Sequence, residues 1–199
     1  MIILVRHGET AGNQQRVLQV AETPLNATGL AQARRLAERL REYAPTAVLC
    51  SDLPRARMTA EPFVGLTSLP VEYTELLQER NFGDIRGTPY AELGFDPFMP
   101  GYDPPGGESW ELFYQRVAQA FALMIQRRGA QSGNLVVVTH GLVCGAILAR
   151  HARLADGMLA PLRVDNTSVT LLDPEEPHLV RLLNCTRHLD TLTDGAGAA

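Results

Sequence analysis

Three short apolar runs, Ile2 to Val5, Ala47 to Cys50 and Leu135 to Thr139, are separated by stretches of helical periodicity. Runs this short, rich in β-branched residues and without polar alternation, suit strands buried on both faces of a parallel sheet. Between the first two, Leu30, Ala33, Leu36, Ala37, Leu40 and Tyr43 mark one face of a helix, with Thr28 as its expected N-cap and a stop before Pro45. A second amphipathic stretch, Phe113, Val117, Ala120, Phe121 and Met124, follows Ser109 and ends near Gly129. A third helix is expected from about Leu142 to His151. Ser168 to Leu172 and Leu179 to Leu183 read as strands joined in a hairpin near the sheet edge. The alternation predicts an α/β fold: a single domain with a mostly parallel central sheet and helices on both faces. Gly8 to Ala27 and Thr88 to Gly107 lack periodicity, and the tail 195–199 is expected to be disordered.

A chain of 199 residues with a formal charge of -4 fits one soluble domain without the basic surface that a general nucleic-acid binder needs. All 18 basic residues are arginine, which excludes a Gly-Lys-Ser/Thr phosphate loop and Schiff-base lysine chemistry. Cys50, Cys144 and Cys185 are widely spaced, lack a CxxC pattern and read as buried, reduced thiols of a cytoplasmic protein. No apolar stretch is long enough to span a membrane.

In an open parallel sheet, ligands bind beyond the carboxyl ends of the strands. Here the first run ends in Arg6-His7-Gly8-Glu9-Thr10, the second in Ser51-Asp52-Leu53-Pro54-Arg55-Ala56 and the third in His140-Gly141. Two histidines and two arginines are thus expected at one edge. Arginine forks match phosphate oxygens, histidines add donors or a nucleophile, and the glycines let backbone approach a ligand closely. Each of these residues taken singly also fits an ion pair or a strand cap; their coincidence at three strand ends favours an anion site. Ser51 either orients Arg55 or caps the helix after the second run. His151, His178 and His188 lack a motif and read as surface or helix-end residues. No Cys/His spacing or carboxylate-rich loop suggests a metal, although a metal hydrolase built on His7, His140 and nearby acids is compatible with the residue types.

With these motifs stand Asn13, Pro24-Leu25, Gly29, Gln32-Ala33, Thr59-Ala60, Leu77-Gln78-Glu79, Phe82-Gly83-Asp84, Gly87, Gly106-Gly107-Glu108-Ser109, Val138-Thr139-His140-Gly141 and Asn166-Thr167-Ser168. Together, in this order over about residues 3 to 170, they resemble the histidine phosphatase superfamily, the group that contains cofactor-dependent phosphoglycerate mutase. The resemblance implies a phosphoglycerate mutase-like domain over 1–194 with a small cap segment at about 88–107. It also implies a metal-independent phosphatase without a cofactor, acting on a small phosphorylated metabolite and not on nucleic acid or membrane; a homodimer is compatible with it.

By the same resemblance His7 attacks phosphorus, Arg6, Arg55 and His140 surround the phosphoryl group, Asn13 and Gly141 add contacts, and Glu79 is the general acid. Glu9 and Glu108 are left to supporting roles. The sequence departs from the family at Val20, where relatives often carry glycine, at Glu22, where many have aspartate, and at Ile85-Arg86, where an aromatic-acidic pair is common. Arg86 is either a second anion contact or a solvent-facing residue. Two alternatives stay open: a phosphoglycerate mutase, and a non-catalytic phospho-ligand module. Against the mutase, the segment Thr88 to Gly107 carries no basic residue, whereas the mutases have a longer, more basic insertion.

Overall fold

The computed structural model describes residues 1–159 and 163–190, so the expected end of the domain at 194 and the tail 195–199 lie outside the described residues. A seven-stranded sheet forms the centre, built from β1 (Ile2–Arg6), β2 (Pro45–Ser51), β3 (Val71–Thr74), β4 (Asn134–Thr139), β5 (Arg153–Leu154), β6 (Val169–Leu172) and β7 (Leu179–Cys185). Its order is β3-β2-β4-β1-β6-β7-β5. The first four of these are mutually parallel, β6 runs antiparallel to both β1 and β7, and β5 pairs with β7 in parallel.

Residues of period two along the strands explain why both faces are covered. Ile2, Leu4, Leu49, Leu135 and Val137 pack against α4 (Trp110–Gly129) and α5 (Gly141–Arg150) through Phe113, Val117, Met124, Val143 and Ile147. Ile3, Val5, Val48, Val136 and Val138 face the other way, onto Leu36, Ala37 and Leu40 of α2 (Ala27–Arg41) and Ala56, Ala60 and Phe63 of α3 (Pro54–Thr67). The central strands are therefore apolar throughout Ile2–Val5, Ala47–Cys50 and Leu135–Val138. The sequence pattern required that.

Several local expectations are corrected. The N-cap of α2 is Asn26, not Thr28: its Oδ1 accepts from Gly29 N at 2.8 Å, which places Thr28 inside the first turn. Gly8 to Ala27 contains a short helix, α1 (Ala11–Gln15), closed by a capping box in which Thr10 and Asn13 exchange side-chain and backbone hydrogen bonds. The 168–183 hairpin forms, but two-residue β5 lies outside it at the edge. Cys50 and Cys144 are buried free thiols, whereas Cys185 is only half-buried and meets Arg39 Nη2 at 3.2 Å.

His188 lies at a helix end, in the 3-10 turn Arg187–Leu189. It is half-buried, its Nδ1 faces Arg39 Nη1 at 3.1 Å and its Nε2 faces Thr167 Oγ1 at 3.3 Å. Burial, with the charges of Arg39 and Arg35, pulls its pKa to about 4. His151 and His178 pack as rings around Phe121, with centroids at 4.8 and 5.0 Å. Among the described residues no helix is long and apolar enough to cross a membrane.

Candidate active site

Register brings the strand ends together. In the parallel pair of β1 and β4, Arg6 stands opposite Thr139, so the next residues, His7 and His140, emerge side by side with ring centroids 5.1 Å apart. His7 N donates to Thr139 O at 2.9 Å, which continues the ladder one residue beyond β1. On the far side of β4, β2 ends at Ser51, and α3 begins three residues later with Pro54 in its first turn and Arg55 behind it. Arg6, His7, Arg55 and His140 are all buried.

His7 is held in one orientation. Its Nδ1 lies 2.7 Å from Gly8 O, and a carbonyl can only accept, so Nδ1 carries the hydrogen and Nε2 carries the lone pair. Burial first, then the charges of Arg6 and Arg55, pushes its pKa well below the usual histidine value, so the ring is neutral. Gly8 N in turn donates to Thr59 Oγ1 at 2.9 Å, and Thr59 donates to Arg55 O at 2.6 Å. Thr59 therefore ties the loop after His7 to the helix that presents Arg55.

The arginines are anchored through carbonyls rather than carboxylates. Arg6 Nη1 donates to Val164 O at 2.5 Å, while its buried Nε has no protein partner. Arg55 Nη1 donates to Val20 O and Ala21 O, both at 3.3 Å. The atypical Val20 thus takes part through its backbone carbonyl, with its side chain partly exposed. A buried donor without a partner is costly, and an oxyanion placed beside Arg6 Nε would satisfy it.

His140, expected at the phosphoryl group, meets two protein side chains. Its Nδ1 accepts from Arg55 Nε at 3.3 Å and its Nε2 meets Ser51 Oγ at 2.8 Å, so both nitrogens are engaged by protein. It acts on Arg55. Ser51 likewise neither contacts Arg55 nor caps α3, whose N-cap is Leu53; it fixes the His140 ring.

Asn13, Glu79 and Arg86 line, together with Arg6, His7 and Arg55, a cavity of about 140 Å³ above these groups. Asn166 Nδ2 bridges His7 O at 2.9 Å and Asn13 Oδ1 at 3.2 Å. Arg86 is exposed at the rim, with Nε 3.2 Å from Gly83 O. Tyr90 and Phe98 of the 88–107 segment close part of the mouth. Gly141 sits where a Cβ would lie 3.4 Å from Arg6 Nε, so its missing side chain keeps the first turn of α5 close to the arginine.

Glu79 hangs from two backbone amides: Leu142 N reaches Oε2 and Arg80 N reaches Oε1, both at 3.2 Å. Behind it stands a residue that sequence reading missed. Arg116 forms a forked pair with Glu108, at 2.8 and 2.7 Å, and donates to Leu76 O at 2.9 Å and Gln78 O at 2.7 Å. It fastens the segment that presents Glu79. Glu9 is structural as well, accepting from Asn26 Nδ2 at 2.8 Å. Among the described residues no three His, Cys, Asp or Glu side chains converge as a metal-binding group.

The sequence profile of the histidine phosphatase superfamily (branch 1) matches residues 2–186. An uncharacterized phosphatase, PhoE, of Bacillus subtilis (strain 168) is 30% identical over 190 residues, covering 94% of this chain and 96% of its own length. Phosphoglycerate mutase-like protein 4 of Arabidopsis thaliana is 35% identical over 185 residues, covering 85% of this chain and 77% of its own. Among solved structures, the alpha-ribazole phosphatase from Shigella flexneri superposes with a TM-score of 0.77 at 29% identity, over 93% of this chain and 96% of that one. With the profile running from β1 to the end of β7, the chain belongs to the histidine phosphatase superfamily.

Proposed function

We propose that this protein is a phosphatase that hydrolyses a small phosphorylated metabolite through a phosphohistidine on His7, with no metal in the reaction. The observation that carries this reading is the state of His7: neutral, pinned through Nδ1 to Gly8 O, and flanked by Arg6 and Arg55. The Nε2 lone pair attacks phosphorus while the two guanidinium groups neutralise the phosphoryl oxygens. The ester P–O bond breaks, and the leaving oxygen takes a proton from Glu79. Glu79 then removes a proton from water as that water attacks phosphorus, which breaks the P–N bond and frees His7. His140, braced by Ser51, keeps Arg55 aimed at the phosphoryl group.

Names among the relatives support a phosphatase and also include mutase-like proteins. Hydrolysis is favoured by the segment Thr88 to Gly107, which offers no basic side chain to hold a second anionic acceptor over His7. A cytoplasmic location belongs to the same reading, with Cys50, Cys144 and Cys185 as free thiols. Acid quenching of the enzyme with a ³²P-labelled aryl phosphate tests the mechanism. Acid-labile label is expected on the wild type and not on His7→Ala; label that persists in the variant overturns the assignment of His7.

A further inference from the structure

The cavity over His7 opens into a groove of about 760 Å³, several times larger and within the range that holds ligands of drug size. Arg6, Asn13, Glu79, Tyr90 and Phe98 border both spaces. A phosphoryl group on Arg6 and Arg55 therefore places its ester oxygen near Glu79 and sends the alcohol portion into the groove.

The groove has a definite chemistry. Its floor is one face of α5, where Gly141, Gly145 and Ala149 follow at intervals of four and leave the helix backbone bare. A Cβ built at Gly145 meets nothing within 4 Å, so this position looks onto open groove and not onto packed protein. One wall is aromatic: Trp110 and Tyr114 stack at 5.4 Å with planes inclined by 20°. At the far end Arg150 lies over the Tyr114 ring at 3.6 Å. Among the described residues Arg150 forms no ion pair with a carboxylate. From Gly141 to Arg150 the helix rises roughly 13 Å at ~1.5 Å per residue.

We propose that the groove selects a phosphomonoester with an extended, flat, largely apolar alcohol portion that ends in a second anionic group bound by Arg150. A flat body fits between a bare helix face and the edges of the aromatic wall, whose ring faces are taken by Arg80 over Trp110 at 3.9 Å and Arg150 over Tyr114, and a guanidinium already held against a ring is preorganised for a carboxylate or phosphate. A three-carbon phosphoester acid is shorter than the helix rise from Gly141 to Arg150. This inference rests on the phosphatase reading for which end of the ligand faces His7, but it concerns binding and is measured without turnover.

Titration calorimetry with phenylphosphonate, biphenyl-4-ylphosphonate and 4′-carboxybiphenyl-4-ylphosphonate tests it on the full chain. The wild type is expected to bind the second at least ten-fold more tightly than the first, and the third several-fold more tightly again. Gly145→Leu, which fills the groove floor with a better helix former, should erase the first gain, and Ala149→Met at an exposed position should reduce it if Gly145→Leu does not fold. Arg150→Gln should erase only the second gain. Equal affinities across the series, or gains that survive Gly145→Leu and Ala149→Met, overturn the groove assignment; a second gain that survives Arg150→Gln overturns the anion site. Hydrolysis of phenyl phosphate by the same preparations reports separately on the phosphatase reading, so failure of one is distinguishable from failure of the other.

Discussion

His140 Nε2 lies 2.8 Å from Ser51 Oγ, and because Nδ1 of the same ring accepts from Arg55 Nε, the hydrogen must be on Nε2 and point at Ser51. Arginine from α3 thus sets the tautomer of a histidine from β4, and serine from β2 takes that histidine's hydrogen. The chain of contacts converts sheet register into the aim of a guanidinium.

Ser51→Ala is expected to leave the buried His140 Nε2–H without an acceptor, at a cost of about 1–3 kcal/mol. Leu53 N, which also donates to Ser51 Oγ at 3.3 Å, loses its partner too. Urea denaturation of both proteins reads the loss. A difference under about 0.5 kcal/mol, well below the usual cost of an unsatisfied buried donor, would show that the pair is not formed.

Acid should destabilise the fold through its buried histidines. For both His7 and His140 burial is the largest cause of a pKa held well below the usual 6.5; the arginines follow for His7, and Arg55, His7 and Arg6 for His140. The unfolded chain therefore binds more protons than the folded one below pH ~6.5, and stability falls as the pH drops from there toward the depressed folded values. Each buried histidine contributes a slope of up to about 1.4 kcal/mol per pH unit in that window and none above it. Denaturant midpoints between pH 8 and pH 4.5 check this, and His7→Gln should flatten the slope by one histidine's share. A wild-type profile that is level down to pH 4.5 would contradict the buried neutral state.

Arg116 makes its contribution at one remove from the chemistry. Its forked pair with Glu108 has side chains only 19% and 14% exposed, and its other donors hold the carbonyls that precede Glu79. Arg116→Met should cost about 3–5 kcal/mol, the scale for stranding one partner of a buried pair. Arg116→Lys keeps the charge but loses the fork. It is expected to fold and to lower kcat more than it raises KM, because Glu79 drifts while the phosphoryl site stays. Unchanged kcat in a folded Arg116→Lys would reduce Arg116 to a stabilising residue.

The legible parts of the sequence are those governed by backbone register. β1, β4 and β2 announce themselves as apolar runs because both faces are buried, and adjacent parallel strands of matched register leave their next residues together, as His7 and His140 are. Edge strand β3 was not legible, since its two central residues, Glu72 and Tyr73, are exposed and carry no burial signal. Helix α3 shows little amphipathic pattern because Pro62 and Gly65 interrupt it and small residues such as Ala56 and Ala60 make its contact with the sheet. The roles of Ser51, Thr59 and Arg116 depend on partners 89, 51 and 37 to 40 residues away, a relation that no local spacing encodes.

Glu79 carries the sharpest chemical test, because it borders both the cavity over His7 and the groove proposed for the alcohol portion, the junction at which that proposal puts the scissile oxygen. An alkoxide is a poor leaving group and needs a proton as the P–O bond breaks, whereas a phenolate bearing an electron-withdrawing group leaves with little help. Glu79→Gln keeps the shape and an oxygen that can accept from Leu142 N, but cannot give up a proton. The substitution should cost on the order of 10²- to 10⁴-fold in kcat/KM for an alkyl phosphate and clearly less for 4-nitrophenyl phosphate. The aryl ester should instead accumulate phosphohistidine, since water attack on that intermediate also calls on Glu79 as base. A burst of nitrophenolate followed by a slow steady state reports this directly. Equal small losses on both substrates, with no burst, would remove Glu79 from proton transfer.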